Sequence, residues 1–175
     1  MTTLRLESLS LLHAPDIQTM ASDPDIAATT RVPHPYPPGA AKAFIEMSIQ
    51  EQAAGRMYNN AVIDGDTLVG VAGLMQVKPR EKAELGYWIG KPYWGKGYAS
   101  FAVHNLLSYA FTRLQLQKLY AHVLDYNIAS QKVLQKNGFI FIREFIEYDA
   151  KWRKDILLYE YEITKLQWEQ KRVNP

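Results

Sequence analysis

From Ala99 to Leu114 the apolar residues recur with a helical period. Ala99, Ala102, Val103, Leu106, Leu107, Ala110, Phe111 and Leu114 fall at i, i+3, i+4, i+7, i+8, i+11, i+12 and i+15, which predicts a helix that buries one whole side. Strand-like segments flank it, 83–89 before and 118–124 after. A helix that joins two strands of one sheet makes them parallel, with a right-handed crossover. Just ahead of the helix stands Trp94-Gly95-Lys96-Gly97, so a glycine-rich turn falls where a strand ends and a helix begins.

The remaining segments fill in a mixed α and β order. Residues 3–9 alternate apolar and polar, as a half-buried strand does. Pro15 opens a short helix through Met20, and Asp23-Pro24-Asp25 restarts a second one. Residues 31–39 hold four prolines, which forbid regular structure. A helix is predicted over 40–54, with Phe44, Ile45, Met47 and Ile49 on its apolar side. Strands 57–63 and 67–77 meet at Asp64-Gly65, a hairpin signal, and 83–89 completes an antiparallel meander. After the 118–124 strand, Asn127 to Asn137 reads as a helix closed by Gly138 and Phe139. Residues 139–148 and 152–163 read as a final hairpin, leaving 166–175 as a tail on a single domain that spans 1–175.

Composition narrows the function classes. Hydrophobic residues make up 47% and charged residues 22% of 175, an ordinary globular balance. Twenty basic residues against 18 acidic give a net charge of only +2, and no basic tract supplies a footprint for nucleic acid. Without cysteine there is no disulfide framework, thiolate metal site or covalent cysteine intermediate. No metal site is expected. The N-terminus lacks the apolar core of a signal peptide, and the longest apolar stretch is too short to cross a bilayer. These features predict a cytoplasmic protein with no membrane partner, either a monomer or a homodimer.

Glycines in Trp94-Gly95-Lys96-Gly97-Tyr98-Ala99 let successive N–H groups face one point, and the helix dipole adds to that field. Such a nest suits a pyrophosphate, though a Gly-Lys-Gly turn also serves simply to reverse a chain. No Gly-Lys-Ser/Thr closes it as a Walker loop would, and it lacks the third glycine of the dinucleotide fingerprint. A phosphate-bearing cofactor that needs no metal fits better.

Several segments together resemble the GNAT superfamily of N-acetyltransferases, in its RimJ/RimL-like branch. They are Ala83-Glu84-Leu85-Gly86-Tyr87-Trp88-Ile89, Tyr93 to Ser100, Ser108-Tyr109-Ala110-Phe111, Asp125 to Ser130, and Val133-Leu134-Gln135-Lys136-Asn137-Gly138-Phe139. The resemblance implies the GNAT fold: an α+β domain with a mostly antiparallel sheet of about six or seven strands, central parallel strands that splay, and helices on both faces. It implies acetyl-CoA as cofactor, along Trp94 to Ser100, with its pyrophosphate on the amides of Gly95, Lys96, Gly97, Tyr98 and Ala99. The pantetheine arm would lie in the splay, bonded by main-chain groups near Trp88, Ile89 and Gly90 that also polarise the thioester carbonyl. Trp94 departs from the pattern, which usually has Gln or Arg there.

Acetyl transfer to an amine needs the amine neutral and the leaving thiolate protonated. Alternation puts Glu84 on one face of its strand with Gly86 and Trp88. There it is a candidate general base through water, or else a carboxylate paired with a neighbouring cation. The resemblance places a serine at Ser130 where other members carry a later tyrosine, here Leu134. Ser130 is therefore the candidate proton donor to sulfur, or a first-turn serine that satisfies the helix. Asn127 is an N-cap residue, and the resemblance adds a bond to pantetheine. Lys132 reaches for a phosphate or is merely solvated. His122, across the gap, ranks behind Glu84 as base. His34, Tyr36, Tyr148, Trp152, Arg153 and Asp155 are candidates for an acceptor pocket, or ordinary surface. The resulting expectation is direct acetyl transfer to a primary amine, of a protein N-terminus or a small molecule. The alternatives are a non-catalytic acyl-CoA-binding module and, with less support, a nucleotide hydrolase.

Overall fold

A computed structural model describes residues 4–173. Seven strands form one sheet in the order β1-β2-β3-β4-β5-β7-β6. They are β1 Leu4–Ser8, β2 Tyr58–Asp64, β3 Thr67–Lys78, β4 Lys82–Ile89, β5 Lys118–Leu124, β6 Ile140–Asp149 and β7 Lys154–Thr164. Every neighbouring pair is antiparallel except β4 and β5. The parallel pair is the one predicted from the crossover helix.

That helix, α4 (Tyr98–Thr112), buries Ala102, Val103, Leu106, Leu107, Ala110 and Phe111, the apolar stripe read from the sequence. With α5 (Ile128–Lys136) it covers one face of the sheet over the main core. On the other face lie α1 (Ala14–Ala21), α2 (Pro24–Thr29) and α3 (Ala40–Ala53), around a second cluster that includes Ile17, Ile45, Leu68 and Val71. No helix is long and apolar enough to cross a membrane.

Two expectations need correction. In α3 the buried residues are Ala41, Ile45 and Ser48, recurring at i, i+4 and i+7, so Met47 and Ile49 fall on the outer side and are exposed. Of the expected C-terminal tail, 166–173 belong to a helix, α6, running Lys165–Val173, and 174–175 lie outside the described residues. Its nine residues are mostly charged or polar, so periodicity gave no signal. Its one buried side chain is Trp168, with its ring centroid 5.4 Å from that of Phe111, and Lys171 Nζ donates to Lys136 O at 3.1 Å.

Candidate active site

The sheet opens where its two parallel strands meet. Pairing of β4 with β5 runs only from Lys82 and Lys118 to Glu84 and Tyr120, although both strands continue. Beyond Glu84 the strands diverge, and a cleft of about 1060 Å³ passes between them. Period-2 alternation divides its walls between the two faces of the sheet. Glu84, Gly86 and Trp88 face the α1–α3 side, opposite Met75, Gly73 and Val71 of β3. Leu85, Tyr87 and Ile89 face the α4–α5 side.

Antiparallel pairing also decides where the main chain of β4 points. The N–H of Gly90 donates to Val69 O at 2.8 Å and its carbonyl accepts from the Tyr93 N–H at 2.9 Å, while Trp88, two residues earlier, pairs with Val71 of β3, so neither residue turns its amide into the gap. Of the three residues expected to bond pantetheine, only Ile89 turns its amide into the gap, together with Tyr87 two residues earlier. The Ile89 carbonyl accepts from Trp94 Nε1 at 2.6 Å. The indole that departs from the family pattern therefore ties the glycine loop back onto the strand.

In that loop Gly95 and Gly97 adopt φ of +73° and +84°, and a Cβ added to either would meet nothing within 4 Å. The positive φ, not crowding, is what asks for glycine. Among the described residues, no acceptor in the chain meets the N–H groups of residues 95 to 100, and the first amide of α4 to be satisfied is that of Phe101, by Gly97 O. Six successive donors thus stand open beside the cleft at a helix N-terminus. Side chains in this run serve structure instead. Tyr98 donates to Asp64 at 2.5 Å, Ser100 Oγ accepts from Asn137, and Lys96 Nζ lies 5.5 Å from the centroid of the Tyr93 ring. A second recess of about 350 Å³ touches Gly97, Ser100, His104 and Lys136.

Asn127 caps α5, its Oδ1 accepting from the Ser130 amide at 3.1 Å. This turns the Ser130 hydroxyl toward β4, where it stands 2.8 Å from the Tyr87 hydroxyl. Burial, partly offset by the bond to Ser130, pushes the Tyr87 hydroxyl up to about 12. Leu134, where other members carry tyrosine, is fully buried.

On the opposite face Glu84 is 6% exposed. Gln76 Nε2 donates to its Oε2 at 2.9 Å, and its Oε1 lies 3.4 Å from His122 Nδ1. His122 Nε2 in turn lies 3.8 Å from Glu160. Burial raises the Glu160 carboxyl, but hydrogen bonding and charge from Arg143 outweigh it and hold the group below the ordinary carboxylate range.

The walls of this face are tied together at the end of α2. Lys151 Nζ donates to Ala27 O and Thr30 O, Tyr126 to Ala28 O at 2.9 Å, and Asn127 Nδ2 to Thr29 O at 3.4 Å. Four carbonyls left over at a helix C-terminus are satisfied by side chains from across the cleft. Burial lowers the Lys151 ammonium, against a smaller opposing pull from Asp149.

The structure brings Glu84, Trp88, Ile89, Ser130, Asn127, Lys132, Tyr36 and Trp152 onto one cleft, with Trp94, Gly95 and Gly97 to Ser100 at its edge. His34, Tyr148, Arg153 and Asp155 lie outside it. Sequence reasoning missed Tyr87, Gln76, Glu160 and Lys136. Alternation puts Tyr87 on the face of its strand opposite Glu84, and nothing local marks its meeting with a serine 43 residues on.

A family model described as an acetyltransferase (GNAT) domain matches residues 3–140. The chain is 30% identical over 171 residues, covering 95% of this chain and 94% of the relative, to the uncharacterized N-acetyltransferase p20 of Bacillus licheniformis. Its fold matches that of spermidine N-acetyltransferase from Vibrio cholerae, solved with CoA and spermine, with a TM-score of 0.82 at 21% identity over 95% of this chain and 98% of that one. It matches the ribosomal L7/L12 alpha-N-protein acetyltransferase RimL, solved with coenzyme A, with a TM-score of 0.83 at 16% identity over 94% and 95% of the two chains. The splayed parallel strands, the open amides ahead of α4 and the family match over most of the chain lead to one conclusion: this protein belongs to the GNAT family of acetyltransferases.

Proposed function

We propose that the protein transfers the acetyl group of acetyl-CoA to a primary amine by direct attack in a ternary complex. The observation that carries this reading is the row of open amides from Gly95 to Ser100 beside a cleft that runs through the sheet. They suit a pyrophosphate, and Lys132 and Lys136 on α5 border the same cleft. The thioester supplies an activated acetyl group whose carbonyl oxygen gathers negative charge under attack. The Ile89 amide, turned into the gap, is the main-chain donor for that oxygen.

The two faces divide the proton traffic. Glu84 accepts the proton that the amine sheds, directly or through one water, and His122 Nδ1 lies 3.4 Å behind it. Ser130 gives its hydroxyl proton to the departing sulfur and is reprotonated through Tyr87, which draws its proton from solvent while Glu84 releases the amine's proton to solvent. The amine thus enters from the α1–α3 side, while donor and leaving group lie on the α4–α5 side. No side-chain nucleophile is required, and without cysteine a thiol intermediate is excluded.

Calorimetry with CoA, followed by amine-dependent thiol release from acetyl-CoA, tests the proposal. Micromolar CoA binding with release that requires an amine is the expected result. Binding without any amine-dependent release would leave a CoA-binding module, and no binding would overturn the reading.

A further inference from the structure

The split in the sheet has a vertex, and one side chain straddles it. The last pair of the parallel strands is Glu84 of β4 with Tyr120 of β5, and Gln76 of β3 reaches both. Its Nε2 donates to Glu84 Oε2 at 2.9 Å, and its Oε1 accepts from the Tyr120 hydroxyl at 3.4 Å. Plain alternation would not put it there. Met75 pairs with Glu84 and Lys78 with Lys82, so Gln76 and Val77 together stand opposite Ala83, a β-bulge. Val77 packs with Ala83 against the main core on the α4–α5 side. Strict alternation from Met75 would give that place to residue 76. Gln76 is the extra residue, and its φ of +49° lies in the left-handed region, where a glutamine is strained. A strained residue at a bulge, bonded to a buried carboxylate, points to a side chain that has been aimed.

We infer that Gln76 is a positioning residue for the reaction, which holds the Glu84 carboxylate in a single orientation at the vertex of the split. The inference rests on the acetyl-transfer reading, in which Glu84 is the base, and assigns a residue that reading does not use. With Oε2 held from β3, Oε1 is fixed on the β5 side, where His122 Nδ1 lies 3.4 Å away. Without the amide of Gln76, the carboxylate is free to turn about its last bond. The amine then meets it in a spread of geometries, and proton transfer slows because alignment is lost. The cofactor, on the opposite face of β4, is untouched.

Gln76 is exposed, so its variants leave the core intact. Gln76→Ala should lower kcat/KM for the amine by about 10-fold, the equivalent of one hydrogen bond to a charged group. The KM for acetyl-CoA and the Kd of CoA stay as they are. Gln76→Gly should be the more stable of the two, because glycine accepts a positive φ, yet just as slow, because the amide is missing. Gln76→Glu, with the same reach and no donor, is no faster than either. In a Glu84→Gln background, Gln76→Ala should cost less than about 2-fold, since residues that act together do not add. An equal loss of rate in both backgrounds, a parallel loss of CoA affinity, a Gln76→Glu protein as fast as wild type, or no loss at all overturns the inference. Denaturant unfolding reads the contact without turnover. The cost of Gln76→Ala should shrink when Glu84 is already replaced by alanine, and an equal cost in both backgrounds overturns the inference as well. Coupled unfolding in a protein that releases no thiol with any amine defeats acetyl transfer and leaves Gln76 holding Glu84. Amine-dependent release without coupling does the reverse.

Discussion

The hydroxyl of Tyr87 lies 2.8 Å from Oγ of Ser130, joining the core-side face of β4 to the first turn of α5 at the place where the sheet splits. The contact gives the serine a proton source of its own. In the proposed reaction it takes the place of the tyrosine that the resemblance expects at Leu134. Leu134 is packed into the core, while a different tyrosine reaches the same neighbourhood from a strand.

Ser130→Ala is therefore expected to lower kcat by about 100-fold, the low end of what a positioned acid contributes, with little change in the KM for acetyl-CoA. Tyr87→Phe costs less, about 10-fold on the same reasoning, because Ser130 can be reprotonated by water. Steady-state thiol release measures both. Equal losses in kcat from the two variants would argue that Tyr87 itself faces the sulfur.

Tyr87 also makes a prediction on pH. Its hydroxyl is held protonated from the ordinary 10.0 up to about 12, chiefly by burial. Between those values the native protein keeps a proton that the unfolded chain has released. This share of stability is complete below pH 10 and is lost as pH rises through about 12. The stability advantage of wild type over Tyr87→Phe should shrink over that window in denaturant titrations, because the other tyrosines are common to both proteins and cancel. An advantage that stays flat to pH 12 would contradict the assignment of the shift.

Glu84→Gln keeps the size of the side chain and its contact with Gln76 but cannot accept a proton. It should reduce kcat/KM for the amine by about 100-fold and leave CoA binding unchanged, since Glu84 faces the side of the sheet away from α4 and α5. Calorimetry alongside kinetics reads the two effects separately. A parallel loss of CoA affinity would place the carboxylate on the wrong side of the cleft.

Much of this architecture is legible in the sequence because it rests on local rules. The α4 stripe, the Asp64-Gly65 hairpin and the Gly138 cap each follow from a few neighbouring residues, and the parallel pair follows from the crossover. The site is legible where main chain does the work, as in the Gly95–Gly97 loop, and where one polar residue interrupts an apolar strand, as Glu84 does. What escapes is long-range. The meeting of Tyr87 with Ser130, and the set of donors from Tyr126, Asn127 and Lys151 on the carbonyls of α2, are fixed by tertiary packing and have no local pattern. For the same reason, four of the six residues suggested for the acceptor wall lie elsewhere, since a loop's composition does not say which of its side chains turn inward.

Helix α6 buries a single side chain, and it yields a stability prediction. Trp168 is 7% exposed against Phe111, and little else on the helix is apolar and buried. Trp168→Ala should destabilise the protein by about 3 kcal/mol and release α6 to rapid amide exchange, with kcat unaffected. A loss of stability without exchange confined to 165–173 would mean the tryptophan supports the core rather than the helix.

The glycine loop offers the sharpest test of cofactor binding, because strain and function can be separated. Gly97 at φ +84° and Gly65 at φ +60° both sit in the left-handed region with open space around the missing Cβ. Alanine at either position costs about 1 kcal/mol of backbone strain, so the two variants should lose similar stability. Only Gly97 lies among the open amides ahead of α4. Any relaxation of its φ re-aims the N–H groups of residues 97 to 99, which must converge to hold a diphosphate. Gly97→Ala should therefore weaken CoA binding by about 10-fold, the equivalent of one poorly aimed charge-assisted hydrogen bond, while Gly65→Ala leaves it unchanged. Titration calorimetry of the two variants, with thermal unfolding as the common reference, decides the matter. Equal CoA affinity in both would show that the loop amides do not carry the phosphate contact.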